Sequence, residues 1–134
     1  MSHDANERLL RACAESWYHV RIAELLAEGA SPSSRDRDLQ TPLHHAAFSG
    51  DVMVVELLIQ AGAEVNAVNG YSFTPLHYAA AQGNVQIIRI LVSAGAQIDA
   101  RAANGSTPLR LARARAQKSS EEALIALGAR EASL

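Results

Sequence analysis

The chain has 134 residues, of which 49% are hydrophobic, 19% are charged and 4% are aromatic, and its formal net charge is −2 at pH 7. This composition supplies the core of one domain and excludes a disordered chain, and the weak negative charge disfavours a general nucleic-acid-binding protein. No run approaches about 18 apolar residues, so we expect no membrane span. The single cysteine, Cys13, cannot form an internal disulfide, so we expect an intracellular, cytoplasmic protein.

Two short motifs recur along the chain with one period. Thr-Pro-Leu begins at positions 41, 74 and 107, and Gly-Ala begins at positions 29, 62, 95 and 128. Both motifs recur every 33 residues, since 74 − 41, 107 − 74 and 62 − 29 all equal 33. A fixed period of this length predicts a stack of equal units. The predicted units are approximately residues 1–38, 39–71, 72–104 and 105–134.

The first unit departs most from the repeated pattern. Arg8-Leu9-Leu10 stands in place of Thr-Pro-Leu, and we predict a first helix from Arg8 to Ala14. One whole period separates Cys13 from Ala46, so we expect a small buried thiol in the place of that alanine rather than a nucleophile. The second helix of this unit keeps an apolar stripe made by Ile22, Leu25 and Leu26.

The second and third units each predict a pair of short helices. Thr41 and Thr74 are good N-caps, and the proline after each suits the first helical position. The helices are predicted at residues 42–49 and about 52–61, and again at 75–82 and about 85–94. Their second helices each present one apolar face, formed by Val54, Val55, Leu58 and Ile59 and then by Ile87, Ile88, Leu91 and Val92. The polar segments between the units predict extended hairpins or long turns.

The fourth unit carries polar residues where its neighbours are apolar. Ser120 and Glu121 stand where Val54 and Val55 stand in the second unit. Terminal repeats need polar outer faces for solubility, so we expect both end units to be caps and the four-unit stack to be complete. The basic residues of this unit are Arg110, Arg113, Arg115 and Lys118. They either attract an acidic partner or a phosphate-rich surface or form a solvated face, and we favour the solvated face.

These residues together resemble the ankyrin repeat family. The shared pattern is Thr-Pro-Leu-His-x-Ala-Ala, then a glycine, an apolar helix and Gly-Ala, and residues 41–47 and 74–80 match its first part in full. The resemblance covers about residues 8–130 and implies an all-α fold, a solenoid of stacked helix-turn-helix units joined by β-hairpin-like loops, as one domain over 1–134. It also implies that His44 and His77 bond loop backbone and the threonine hydroxyl instead of a metal ion.

The loop tips differ from the family in two units. The family usually has glycine two residues before the threonine, but Leu39 and Ser72 stand there, and only Gly105 conforms. The pair Asn69-Gly70 lies two positions earlier in register. We therefore expect a rearranged tip in the third unit.

The resemblance implies a non-catalytic module or scaffold that binds another protein. The sequence contains no nucleophile motif, metal-ligand spacing or phosphate-binding loop, so we expect no enzymatic activity, cofactor or metal, and no nucleic-acid or membrane partner. The family's binding face is concave and consists of the loop tips and the exposed side of the first helices. Equivalent positions here give the candidate partner-binding residues Arg35, Arg37, Asp38, Gln40, Phe48, Ser49, Val68, Tyr71, Phe73, Gln82, Arg101, Asn104, Ser106 and Arg115.

Two alternatives stay open at this point. Either Phe48, Tyr71 and Phe73 anchor a partner between flanking arginines, or Phe48 packs between units and the two tip aromatics cover Leu39. We expect a monomer, but Trp17-Tyr18 offers a different function, in which a structural or regulatory subunit associates with itself through a terminal cap.

Overall fold

The computed structural model describes residues 2–14 and 19–130, which form four pairs of helices. The pairs are α1 (Ser2–Ala14) with α2 (His19–Ala27), α3 (Pro42–Ser49) with α4 (Val52–Gln60), α5 (Pro75–Gln82) with α6 (Val85–Ser93), and α7 (Pro108–Ala114) with α8 (Lys118–Ala126). Each first helix contacts the next first helix, and each second helix contacts the next second helix. The predicted all-α solenoid is confirmed. None of the described helices is long and apolar enough to cross a lipid bilayer.

Capping side chains define where the helices begin. The hydroxyl of Thr41 accepts a hydrogen bond from the backbone N–H of His44 at 3.3 Å, and the threonines before α5 and α7 do the same. Asp51 and Asn84 cap α4 and α6 through a side-chain oxygen. These bonds satisfy N–H groups that have no partner in the first helical turn. The predicted bounds of α3 and α5 are correct, and α4 and α6 end one residue earlier than expected.

Two sets of leucines mark the core through all four units. In the second helices Leu25, Leu58, Leu91 and Leu124 are fully buried, and each follows the last by one repeat period. In the first helices Leu43, Leu76 and Leu109 are buried with the same interval. Burying a leucine stabilises the fold by roughly 1.5–3 kcal/mol, and here each buries against residues of its own and adjacent units.

The first helix of the stack is shifted by one residue relative to the expectation. One period before Leu43 stands Leu10, but the fully buried leucine of α1 is Leu9. Cys13 therefore takes the position of Ala47 rather than that of Ala46, which corrects the predicted register. The cysteine is buried, and burial together with the Asp51 carboxylate raises the pKa of its thiol to about 12. Helix α1 also begins at Ser2, ahead of the predicted Arg8.

The two polar residues at the start of α8 have different environments. Ser120 is fully buried, like Val54 and Ile87 at the equivalent positions, so the expectation that it lies on an outer face was wrong. Glu121 is partly exposed and accepts a 2.9 Å hydrogen bond from Nε of Arg113. This ion pair stands where the third unit has the fully buried Ile88.

Candidate functional site

The loops that precede α3, α5 and α7 share one backbone geometry. The N–H of Asp36 donates to the carbonyl of Gln40 at 3.0 Å, and Asn69 and Ala102 donate to the carbonyls of Phe73 and Ser106 at 3.0 and 2.8 Å. The residue two before each threonine has a positive φ in all three loops, at Leu39 (62°), Ser72 (64°) and Gly105 (83°). The third-unit tip therefore keeps the common register, and the expected rearrangement was wrong.

Side-chain acceptors support all three tips, and in two of them one oxygen accepts two backbone hydrogen bonds. Oδ1 of Asp36 accepts hydrogen bonds from the N–H groups of Asp38 and Gln40, both at 2.9 Å. Oδ1 of Asn69 accepts from Tyr71 and Phe73 at 2.9 and 3.0 Å. Side chains of this type stabilise turns by bonding backbone groups a few residues ahead. They help Leu39 and Ser72 adopt the left-handed conformation that glycine usually provides.

Hydrogen bonds also join successive tips into one row. The N–H of Gly70 donates to the carbonyl of Asp38 at 2.9 Å, and the N–H of Ala103 donates to the carbonyl of Tyr71 at 3.0 Å. Nη1 of Arg35 donates to the carbonyls of Leu39 and Val68 at 3.0 and 2.6 Å. The three tips therefore form one ordered edge of the stack.

The buried histidines connect the first helices to this edge. Nδ1 of His44 accepts from the N–H of Thr41 at 3.1 Å, so the ring proton lies on Nε2, which donates to the carbonyl of Phe73 at 2.8 Å. His77 makes the same bonds to Thr74 and to the carbonyl of Ser106. Burial lowers the pKa of His44 to about 4 and also lowers that of His77. The geometry agrees with the structural role that the resemblance implies.

Four aromatic side chains form a continuous row across the second and third units. The ring centroids of Phe48 and Tyr78 are 5.7 Å apart, those of Tyr78 and Phe73 are 5.9 Å apart, and those of Phe73 and Tyr71 are 6.5 Å apart. We call Phe48, Tyr78, Phe73 and Tyr71 the aromatic row. Phe48 is 55% exposed and Tyr71 is 68% exposed, whereas the two rings between them are half-buried.

The sequence prediction missed Tyr78, which holds the aromatic row in place. Its hydroxyl accepts a hydrogen bond from Nδ2 of the buried Asn69 at 2.8 Å and donates to Oε1 of Gln40 at 3.2 Å. Its ring also lies 5.8 Å from that of His44. No repeat position marks it in the sequence, because His45 and Leu111 stand at its place in the neighbouring units.

The other predicted site residues lie either at the tips or at the C-terminal ends of α3, α5 and α7. Most are exposed, namely Arg35, Arg37, Asp38, Ser49, Val68, Gln82, Arg101, Asn104 and Arg115. Gln40 and Phe73 are half-buried and act mainly within the network described above. Ser106 is buried and its carbonyl accepts the bond from His77, so its inclusion as a partner-contacting side chain is corrected.

The alternatives for the aromatic residues have different outcomes. Phe48 contacts the ring of Tyr78 in the next unit, and it is still 55% exposed, so both alternatives for this residue stay open. Leu39 is 48% exposed, so the two tip aromatics do not bury it. The pair Trp17-Tyr18, on which the self-association hypothesis rests, lies outside the described residues. Within the described ranges, no three His, Cys, Asp or Glu side chains converge as metal ligands.

Comparison with known proteins gives a consistent result. The family model described as ankyrin repeats (3 copies) matches residues 9–102 and 69–130. The human ankyrin repeat domain-containing protein 49 is 45% identical over 62 residues, which are 46% of this chain and 26% of that protein. Human protein fem-1 homolog A is 45% identical over 53 residues, 40% of this chain and 8% of that protein. The Arabidopsis thaliana potassium channel GORK is 43% identical over 44 residues, 33% of this chain and 5% of the channel. The matched part is thus a small share of each relative.

Proposed function

Because this chain belongs to the ankyrin repeat family, whose repeats generally act as protein–protein interaction modules, we propose that it is a non-catalytic scaffold that binds a partner protein. The proposed binding face is the concave one, formed by the loop tips and the exposed side of the first helices. We treat residues 1–134 as one domain of four units in this proposal. The buried free thiol of Cys13 supports an intracellular setting.

The aromatic row is the observation that carries this proposal. Two of its rings, Phe48 and Tyr71, are more than half exposed, although large aromatic side chains gain most from burial. Exposed Leu39 and Val68 add apolar surface at the tips, where Arg35 bonds both of their carbonyls. A contiguous apolar patch of this kind typically marks an interaction site.

The surroundings of the aromatic row keep it ordered before a partner arrives. Tyr78 is fixed by Asn69 and Gln40, and Phe73 contacts His77 at a centroid distance of 5.4 Å. Side chains that are already ordered lose little conformational entropy on binding, which favours affinity. Aromatic residues and arginine also dominate the energetic centres of known interfaces. We therefore propose Phe48 and Tyr71 as anchors and the exposed arginines of the tips as the rim.

Affinity capture from the native source tests this proposal. The bait is the full chain as wild type, as Phe48→Ala/Tyr71→Ala, and as the control Met53→Ala/Arg89→Ala on the second helices. Met53 is 53% exposed, so the control removes an apolar side chain as accessible as Phe48. We expect the double variant to lower recovery of the co-purifying protein about tenfold or more, as loss of two interface anchors does.

The control variant should recover the same protein at the wild-type level. Equal recovery by all three baits, with unchanged thermal unfolding, would show that the partner binds elsewhere. Phe73 is left intact because it is half-buried and contacts His77, so that its removal would also disturb the fold.

A further inference from the structure

We infer that Asn104 is a site of spontaneous deamidation in the folded chain, whereas Asn69, which is also followed by glycine, is protected. The modified group is the exposed side-chain amide at the tip before α7. The inference does not depend on the proposed partner. It rests on the different side-chain contacts of two asparagines that share one sequence context.

The reaction needs only the protein and water. The backbone nitrogen of Gly105 attacks Cγ of Asn104 and gives its proton to the solvent, so that a C–N bond forms. The bond from Cγ to Nδ2 then breaks, this nitrogen takes a proton from the solvent, and ammonia leaves a five-membered succinimide ring behind. Water opens the ring at either carbonyl and gives an aspartate or an isoaspartate. In total one water is consumed and one ammonia is released.

A glycine after the asparagine favours this attack. Because glycine has no Cβ, its backbone nitrogen is reached more easily and its backbone is more flexible. The chain has two such pairs, Asn69-Gly70 and Asn104-Gly105. The remaining asparagines precede residues with side chains; they are Asn6, Asn66 and Asn84. The sequence alone therefore gives the two pairs similar reactivity.

The glycine of each pair does not separate the two sites either. The N–H of Gly70 donates to the carbonyl of Asp38 at 2.9 Å, and the N–H of Gly105 donates to the carbonyl of Ala102 at 2.8 Å. Neither glycine is buried. In both tips this bond must open before the nitrogen attacks, so folding slows both reactions. The clear difference between the pairs lies in the asparagine side chains.

The side-chain amide of Asn69 is buried and bonded on both of its polar atoms. Its Nδ2 donates to Oε1 of Gln40 at 2.9 Å and to the hydroxyl of Tyr78 at 2.8 Å. Its Oδ1 accepts from the N–H groups of Tyr71 and Phe73, and the residue is only 4% exposed. Turning Cγ toward the nitrogen of the next residue would break these bonds at a site that water reaches poorly. The fold therefore protects this amide.

The side-chain amide of Asn104 is exposed and held by one bond. Its Oδ1 accepts from the N–H of Ser106 at 3.0 Å, and among the described residues no group accepts from its Nδ2. One bond therefore opposes the rotation, and the solvent can protonate the leaving nitrogen directly. Asn104 is thus the more reactive of the two amides.

Deamidation would change the edge of the stack at this tip. Both products add a carboxylate to the tip that carries the exposed Arg101. The isoaspartate also lengthens the main chain by one methylene group between two contacts with the third unit. These are the bond from the N–H of Ala103 to the carbonyl of Tyr71 and the bond from His77 to the carbonyl of Ser106. The modification would therefore weaken the coupling between the last two units.

Peptide mapping by mass spectrometry tests the inference on the purified full chain. Folded protein and protein unfolded in guanidinium chloride are incubated side by side at mildly alkaline pH, and the conversion of amide to acid is followed at both pairs. In the folded chain we expect Asn104 to react about tenfold faster than Asn69 or more, because Asn69 must first break several buried hydrogen bonds. In the unfolded chain the two rates should agree within about threefold.

Two variants connect this difference to the side-chain contacts. Gln40→Ala/Tyr78→Phe removes both acceptors of Nδ2 of Asn69, so the rate at Asn69 should rise several-fold while the rate at Asn104 stays at the wild-type level. Asn104→Gln should abolish the reaction at the tip before α7, since attack on the longer side chain would have to close a less favourable six-membered ring.

Several results would overturn the inference. One is an equal or faster reaction at Asn69 in the folded chain. Another is a folded chain in which Asn104 stays intact while the unfolded chain deamidates, since the bond from the N–H of Gly105 would then control the reaction. An unchanged rate at Asn69 in Gln40→Ala/Tyr78→Phe would overturn the stated cause of its protection.

Discussion

The imidazole of His44 donates from Nε2 to the carbonyl oxygen of Phe73, 2.8 Å away, and so joins α3 to the loop of the following unit. His77 repeats this bond to Ser106 at 2.9 Å. Arg110 holds the equivalent position in the fourth unit, and it is exposed. This bond therefore couples neighbouring units, and it also fixes the backbone of the loop that carries Phe73 and Tyr71.

Loss of this coupling should destabilise the stack. In His44→Ala, the N–H of Thr41 and the carbonyl of Phe73 lose their partner, and a buried volume is left empty. We expect the free energy of unfolding to fall by about 2–4 kcal/mol, measured by urea denaturation. Arg110→Ala is the matched control, because Arg110 stands at the equivalent position and is exposed, and we expect a change within about 0.5 kcal/mol. Equal effects of the two substitutions would contradict the coupling role.

Stability should also depend on pH through the buried histidines. Burial lowers the pKa of folded His44 to about 4, whereas the unfolded value is near 6.5. The unfolded chain therefore binds a proton more readily between these values, so stability is complete above about pH 6.5 and falls as the pH drops toward 4. The lowered pKa of His77 acts in the same direction. We expect a loss of about 1–2 kcal/mol between about pH 7 and 5.5, measured by urea denaturation.

A histidine variant separates this effect from other titrations. His44→Gln removes the titrating group, so its stability should change less between the same two pH values than that of the wild type. The dependence that remains in His44→Gln should include that of His77, whose pKa is also lowered by burial. A wild-type stability that is flat across this range would contradict the burial argument.

The sequence predicted the regular part of the fold because the signals there are local. Thr41 and Thr74 cap their helices, the following prolines suit the first turn, and the intervals repeat without insertion. The first unit lacks these marks, so nothing in Arg8-Leu9-Leu10 fixed the register of α1. Its one-residue shift became visible only from the burial of Leu9.

The candidate site was predicted only in part because it depends on contacts between units. Phe48 and Tyr71 could be found from equivalent positions in the repeat. Tyr78 could not, since its contacts with Phe48 and Asn69 require the relative placement of two helices and a loop. The third-unit tip was mispredicted because glycine was taken as necessary, whereas the side chain of Asn69 supports the same turn.

Two residues with positive φ angles should be better replaced by glycine, which other units already have at the equivalent positions. Ser72 (φ 64°) and Ala116 (φ 56°) adopt the left-handed region, where Gly105 and Gly83 stand at the equivalent positions of other units. Left-handed backbone costs a non-glycine residue about 1–2 kcal/mol, partly offset by the greater freedom of glycine in the unfolded chain. We expect Ser72→Gly and Ala116→Gly each to stabilise the fold by about 0.5–1 kcal/mol in urea denaturation.

A glycine introduced inside a helix serves as the control, because it should destabilise the fold instead of stabilising it. Ala23 is exposed within α2, so Ala23→Gly should destabilise the fold by about 1 kcal/mol. If Ala116→Gly were as destabilising as Ala23→Gly, the backbone at residue 116 would not be strained.

The buried hydroxyl of Ser120 should destabilise the fold. Within the described residues, its Oγ is buried without a hydrogen-bond partner, at a position that holds Val54 and Ile87 in earlier units. A buried polar group left unpaired costs about 1–3 kcal/mol, so we expect Ser120→Ala to raise the free energy of unfolding by about 1 kcal/mol. Ser119→Ala, exposed on the same helix, should change it by less than about 0.5 kcal/mol. Urea denaturation of both variants decides the matter, because a destabilised Ser120→Ala would mean that the hydroxyl is bonded in solution.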